Sequence, residues 1–309
     1  MANKDKDSLG NRMKQYYEAI PKTRLMRRTP VIIRIDGKAF HTFTKGFNRP
    51  YDVVLSNAMI KTMKYLCKNV QGCVFGYTQS DEITLVLVDY KELNTNAWFD
   101  YEVQKVSSIS ASMATLAFNQ FFKEEVDYIK FELDNIFKNK IYIERPKYDH
   151  DIDKLKEEYN EYVNEFCKRF RYETLEDAKR CCEKYESSLK KGAMFDSRVF
   201  NIPKEEVCNC VIWRQQDASR NSVEMLGRHY FSDKQLFKKN CSDIQDMLMN
   251  EHSVNWNDVP TKFKRGTSCY KRVIIDDKCN EHAEWFIDYE MPILTQDRDY
   301  VEKHIFINI

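Results

Sequence analysis

Cys73-Val74-Phe75-Gly76-Tyr77-Thr78-Gln79-Ser80-Asp81-Glu82-Ile83-Thr84-Leu85-Val86-Leu87-Val88 is a pair of apolar runs around a polar tip. Cys73 to Tyr77 and Ile83 to Val88 read as strands, and Thr78 to Glu82 between them is short enough for a hairpin connection. Its tip is unusually acidic. Upstream, Val31 to Ile35 is a β-branched run that ends at the turn pair Asp36-Gly37, which predicts a buried strand stopping at a carboxylate. Leu55, Met59, Ile60, Met63, Leu66, Cys67 and Val70 recur at helical spacing, with Gly72 behind them as a stop. Glu102 to Phe122 reads as a second helix whose Ser107, Ser108, Ser110, Ala111, Ser112, Ala114 and Ala117 allow close approach to a sheet. Phe118, Phe121 and Phe122 fill space at its end, and Met194 to Ile202 is a further strand. Strand, helix, strand, strand, helix, strand is the order of a ferredoxin-like α/β (α+β) sandwich with an antiparallel sheet. There the first strand lies beside the third, so Asp36 and Asp81 are expected to share one edge.

From 148 to 191 the composition changes. Ile152, Leu155, Tyr159, Tyr162, Val163, Phe166 and Phe170 form one helical stripe amid Lys and Glu, and Leu175, Ala178, Cys181, Cys182, Tyr185 and Leu189 form a second, with Thr174 as its N-cap. The two predict a charged helical hairpin inserted into the fold, peripheral to it. Pro203 starts a helix that runs through Trp213 to near Tyr230, another covers roughly Lys234 to Asn250, and Pro260 to Gly266 is a loop before a strand from Ser268 to Ile275.

Composition narrows the function. The 309 residues suffice for a substantial core, and 42% hydrophobic with 31% charged residues describes a globular protein. No run of about 18 apolar residues is present and Met1 to Lys14 has no apolar signal core, so a cytoplasmic protein without a membrane span is expected. The 10 cysteines, including Cys181-Cys182 and Cys208-Asn209-Cys210, contain no C-x-x-C pair and read as reduced thiols. Cys279 and His282 have ligand-like spacing but no second pair to complete a zinc site. With a net charge of +1, any nucleic-acid contact must be local, as at Lys22, Arg24, Arg27 and Arg28 or at Lys262, Lys264, Arg265, Lys271 and Arg272.

Two carboxylates converging on an exposed strand edge repel unless a cation lies between them. Hard oxygen donors in so sparse a set suit magnesium, which keeps waters and substrate phosphates in its shell. Gly37 lets backbone approach a phosphate or offer its carbonyl, while Lys38, His41 and Arg49 supply donors for a triphosphate. Neither a G-x-x-x-x-G-K-[ST] nor a G-x-G-x-x-G loop occurs, and no G-x-S-x-G elbow points to a hydrolase.

Arg34-Ile35-Asp36-Gly37-Lys38-Ala39-Phe40-His41 resembles the R-x-D-G-[RK]-x-F-H motif of the tRNA-histidine guanylyltransferase family, the 3′-to-5′ polymerases. Arg49-Pro50-Tyr51-Asp52, Gln79-Ser80-Asp81-Glu82, Phe195-Asp196-Ser197-Arg198-Val199, Trp213-Arg214-Gln215-Gln216-Asp217 and Gly266-Thr267 match further motifs in order. The resemblance implies a polymerase-like palm in which Asp36, the Gly37 carbonyl and Asp81 bind two magnesium ions, with Glu82 supporting the acidic edge. It implies nucleoside triphosphate contacts from Arg34, Asp36, Gly37, Lys38, Ala39, Phe40, His41, Arg49, Ser80 and Asp81, and candidate RNA contacts from Arg198, Arg214, Asn221, Lys264 and Arg265. ATP and GTP or other triphosphates would be substrates, tRNA or another structured RNA the partner, and a homotetramer the assembly. The chain divides accordingly into 1–147, the catalytic palm, 148–191, the insert, and 192–309, the rest of the palm with RNA-contacting and oligomerisation regions. After Asp217, where eukaryotic guanylyltransferases carry H-I-N-N, this chain reads Ser219-Arg220-Asn221-Ser222. Ser197 replaces a glycine and Lys38 stands where arginine is usual. These departures favour the guanylyltransferase-like branch, which repairs truncated tRNA 5′ ends. A nucleotidyl cyclase acting on free triphosphates, or a non-catalytic RNA-binding palm, would carry the same acids.

Overall fold

In the computed structural model, which describes residues 8–144, 152–275 and 281–306, Val31 to Gly37 is not merely a strand but the second position of a six-stranded sheet. In chain order the elements are α1 (Ser8–Met13, continued by a π-helical turn Lys14–Glu18), β1 (Val31–Gly37), α2 (Phe40–Phe43), α3 (Val53–Asn69), β2 (Cys73–Gln79), β3 (Glu82–Leu87), α4 (Val103–Glu144), α5 (Ile152–Phe170), α6 (Leu175–Lys191), β4 (Phe195–Asn201), α7 (Lys204–Tyr230), α8 (Asp233–Leu236), α9 (Cys241–His252), α10 (Thr261–Lys264), β5 (Thr267–Ile275), β6 (Glu281–Asp288) and α11 (Asp299–Glu302). The sheet order is β4-β1-β3-β2-β5-β6 with every pairing antiparallel, so the ferredoxin-like core is present and two strands extend its edge. β1 lies beside β3, as the topology requires.

Strand alternation assigns the two faces. Ile33 and Ile35 point to the larger core with Met59, Met63 and Leu66 of α3 and Phe118 and Phe122 of α4. Ile32 points to the opposite core with Val207, Cys208 and Val211 of α7 and Leu294 and Val301 near the C-terminus. Asp36, being even-numbered, leaves β1 on the α7 side. The small residues of α4 do sit against the sheet: Ser110 is buried and its Oγ lies 2.8 Å from Ser197 Oγ on β4.

Four expectations about element boundaries change. The hairpin turn is tighter than five residues, because Gln79 and Glu82 still pair and only Ser80 and Asp81 turn the chain, Ser80 in the left-handed region at φ 54°. α4 runs on to Glu144, its buried Val126, Ile129, Leu133 and Ile136 continuing the apolar face. Lys234 to Asn250 is two helices, since Lys238 takes φ 60° and Asn240 caps a new start through its side chain on Ser242 N and Asp243 N. Thr261 to Lys264 forms a helical turn within the expected loop.

The helical hairpin is there, but α6 is not peripheral. Tyr185 is fully buried against Phe47 and Phe122, and Ser188 Oγ donates to Phe43 O at 2.6 Å. The amphipathic stripe that marked an insert is the face by which α6 completes the core. The 147/148 boundary and Cys279 lie outside the described residues. Among the described residues no helix is long and apolar enough to cross a membrane.

Candidate active site

β1 and β3 are paired so that Asp36 and Glu82 are direct cross-strand partners, and Asp81 sits in the turn that feeds β3. Register thus gathers three acids at one sheet end. Asp36, Asp81 and Glu82 line a polar cavity of about 210 Å³ with Tyr77, Arg214, Asp217 and Asn221. Burial, and then the charge of Asp36, hold the Asp81 carboxyl above the usual range. Burial also raises Glu82, against the pull of Arg214 and Arg34. Arg214 is its counter-ion: Nε lies 2.7 Å from Glu82 Oε1 and Nη2 2.8 Å from Asp217 Oδ2.

A cleft of about 710 Å³ adjoins this cavity and shares Gln79, Ser80, Asp81 and Asn221 with it. That volume falls in the range of small-molecule sites. One wall is Gly37, Ala39, Phe40, His41 and Thr44, another is Asn48-Arg49-Pro50 with a cis Arg49-Pro50 bond, and the third is Asn221, Glu224, Met225, Arg228 and His229 of α7. Gly37 is required by packing, because a Cβ there would lie 2.2 Å from the Phe40 ring. Phe40 in turn packs on Phe43, Phe118 and Phe195 at 5.1 to 5.5 Å between centroids, which anchors the α2 turn to the core.

The second wall is pinned by a buried carboxylate. Asp52 caps α3 through Leu55 N at 2.8 Å and accepts from Asn48 N at 2.9 Å and Tyr185 Oη at 2.6 Å. Its pKa is raised by burial against these bonds. α6 therefore shapes the cleft at one remove, through Tyr185.

The structure brings together Asp36, Gly37, Ala39, Phe40, His41, Arg49, Ser80, Asp81, Glu82, Arg214 and Asn221 around the two cavities. Lys38 is exposed outside them, its backbone N–H donating to Met194 O at 2.9 Å. Arg34 lies against Trp213, with the guanidinium carbon 5.6 Å from the ring, and lines neither cavity. Arg198 is exposed on β4. Two RNA candidates are engaged with partners inside the fold. Lys264 is only 7% exposed, with Nζ donating to Asn257 O, so its positive charge is spent inside the fold. Arg214 is held by two carboxylates. Arg265 is half-buried, and its carbonyl accepts from Tyr77 Oη at 2.7 Å.

Sequence reasoning missed Asp217, Glu224, Met225, Arg228 and His229. Stepping along α7 from Asn221 by three or four residues reaches every one of them, and that periodicity was the available signal.

The donor set fits magnesium. Among the described residues no group of three or more His, Cys, Asp or Glu side chains forms a metal cluster, so a closed zinc-type centre is not what this is. Two hard carboxylates beside an adjoining cleft would leave coordination positions for water and phosphate. Burial first and then the charge of Asp36 penalise the Asp81 carboxylate, and a divalent cation would relieve both.

The profile of the family described as Thg1, tRNAHis guanylyltransferase, matches residues 10–203. A bacterial tRNA(His) guanylyltransferase (Thg1)-like protein solved in complex with ATP is 36% identical, with a TM-score of 0.69 over 97% of this chain and 100% of that one. The bacterial protein solved in complex with GTP is 34% identical, with a TM-score of 0.67 over the same shares. Uncharacterized protein R259 of Acanthamoeba polyphaga mimivirus is 27% identical over 88% of this chain and 80% of its own length.

Proposed function

The chain belongs to the tRNAHis guanylyltransferase family of nucleotidyltransferases, and from that premise we propose that it adds nucleotides in the 3′-to-5′ direction to the 5′ end of a tRNA or tRNA-like RNA. One observation carries the reading: Asp36, Asp81 and Glu82 converge on a polar cavity that opens into a nucleotide-sized cleft. Asp36, Asp81 and the Gly37 carbonyl would hold two magnesium ions. When bound, magnesium supplies Lewis-acid stabilisation of charge at the reacting phosphorus and an ordered seat for the triphosphate.

The chain's own residues position the reactants. His41 and Arg49 line the cleft and offer hydrogen-bond donors to the phosphates, and the Ser80 turn closes the end nearest the acids. Arg214 keeps Glu82 oriented at the acidic edge. The reaction forms a bond between the 3′-oxygen of the incoming nucleotide and the activated 5′ phosphorus of the RNA, and breaks the bond from that phosphorus to its activating AMP or pyrophosphate.

Template-dependent repair of 5′-truncated ends is favoured over dedicated guanylation, on the Ser219-to-Ser222 departure and on the 36% identity to a guanylyltransferase-like bacterial protein. Self-association, as a tetramer by family resemblance, belongs to the same reading. Leu9, Met13, Tyr16, Tyr17 and Ile20 expose an apolar stripe at helical spacing that supports it; a monomer at every concentration in analytical ultracentrifugation would remove that part.

Incubation with magnesium, ATP, labelled GTP and a 5′-truncated tRNA is expected to give an extended RNA, lost in Asp81→Ala by at least about 100-fold. No product from the wild type, or undiminished product from the variant, defeats the proposal. A cyclic or oligomeric nucleotide made without RNA would point to a cyclase instead.

A further inference from the structure

Arg34 on β1 and Arg198 on β4 are direct cross-strand partners, so both side chains leave the sheet on its α7 side. Like charges in that position repel, and the Glu82 carboxylate that senses Arg34 is already held by Arg214. The Nε of Arg34 is buried without a hydrogen-bond partner, and Arg198, with 60% of its side chain exposed, reaches Asp196 only at 4.0 Å. Trp213 of α7 stands against Arg34. Its indole remains 51% exposed although Arg34 and Arg214 approach the ring at 5.6 and 4.3 Å. Asp36 lies two residues along β1 from Arg34, opposite Asp196, so the strip begins at the acid cavity. None of Arg34, Arg198 or Trp213 lines the nucleotide cleft.

An anion between the two arginines would end their repulsion, and the exposed part of the indole is a stacking platform for a flat heterocycle. We propose that Arg34, Arg198 and Trp213 form the landing site for the 5′-terminal nucleotide of the acceptor RNA, which sets the RNA end beside Asp36 and Asp81. The backbone phosphate lies between the guanidiniums and the terminal base stacks on Trp213. Stacking is indifferent to base identity, so the site accepts any 5′-terminal base. The assignment rests on the proposed function for its choice of RNA, but its test reads affinity rather than turnover.

A labelled tRNA with a truncated 5′ end and the same RNA with an abasic 5′-terminal residue are titrated against full-length protein by anisotropy. Trp213→Ala is expected to weaken the intact RNA about 5- to 150-fold, the range of one lost base stack, and to leave the abasic RNA unchanged. Trp213→Phe restores most of the affinity and serves if the alanine variant does not fold, which melting and ATP binding report. Arg198→Ala lowers the slope of log affinity against log salt by about one. Equal effects of Trp213→Ala on both RNAs, or none on either, overturn the site; the second outcome is also what a strip covered by another protein would give. RNA transfer by a Trp213-indifferent enzyme defeats only this inference, whereas Trp213-dependent binding without transfer defeats only the proposed function.

Discussion

Asp81 shows how a single side chain is left unfavourable in the free protein so that a ligand can make it favourable. Burial and Asp36 raise its pKa, so the folded protein holds that proton more tightly than the unfolded chain does. The sign follows: this contribution to stability is complete below about pH 4, the ordinary aspartate range, and is lost as pH rises through the folded value. Asp81→Asn should therefore raise the melting temperature of the metal-free protein at pH 7, by about 2 to 4 °C per kcal/mol of repulsion removed, and the gain should shrink toward pH 4. Calorimetry in chelator checks it. An unchanged or lower melting temperature at pH 7 would mean that neither burial nor Asp36 penalises the Asp81 charge. Magnesium should stabilise the wild type more than this variant, because only the wild type has both carboxylates to neutralise.

α6 carries the corresponding lesson for an element. Its polar face was legible as a charged insert, yet its apolar face fills the space beneath the cleft and its Tyr185 hydroxyl is shared between Asp52 and Tyr172, at 2.6 and 3.1 Å. Tyr185→Phe keeps the ring and removes the donor, leaving a buried carboxylate short of one partner. We expect a loss of about 1 to 3 kcal/mol in urea unfolding, together with weaker ATP binding, because Asn48 N donates to the same Asp52 and Arg49 N donates in turn to Asn48 Oδ1. A stability loss with ATP affinity intact would separate α6 from the cleft. Ser197, where the family has glycine, is explained at this scale by its contact with Ser110, a tie between β4 and α4 that glycine cannot make.

Across the described residues, β1, β3 and β2 are covered on both faces, β5 and β6 run out to an exposed end, and the second core closes around Leu294, Val301 and Ile305. His304 is packed there on Phe75 and Tyr270, 5.8 and 4.9 Å between centroids, with Nε2 buried and unpartnered. Burial first, then the charges of Lys303 and Lys91, against Asp299, lower its pKa to about 4. A histidine kept neutral in the fold but free to protonate near 6.5 when unfolded costs stability as pH falls from 6.5 toward 4, opposite in sign to Asp81. Between pH 7 and 5 this amounts to about 2 kcal/mol. His304→Phe should remove that much of the wild type's acid sensitivity, read as the difference between the two proteins in urea unfolding at both pH values. Parallel losses in wild type and variant would show that His304 does not titrate in this range.

Local pattern determined a good deal on its own. The β-branched run to Asp36, the polar tip at Ser80-Asp81 and the helical stripe from Leu55 to Val70 each depend on neighbours a few residues away, so the ferredoxin-like order and the meeting of two acids could be read from the chain. Only the tertiary structure decided how charges and faces are spent. Arg214 and Lys264 are identical in sequence to any solvent-facing cation until Glu82, Asp217 and Asn257 are seen beside them. The same holds for the α7 wall of the cleft and for α6, whose apolar stripes state that something is covered without stating what. Periodicity reports which face of an element is buried, while the partner across that face comes from chain distant in sequence, and no local rule encodes it.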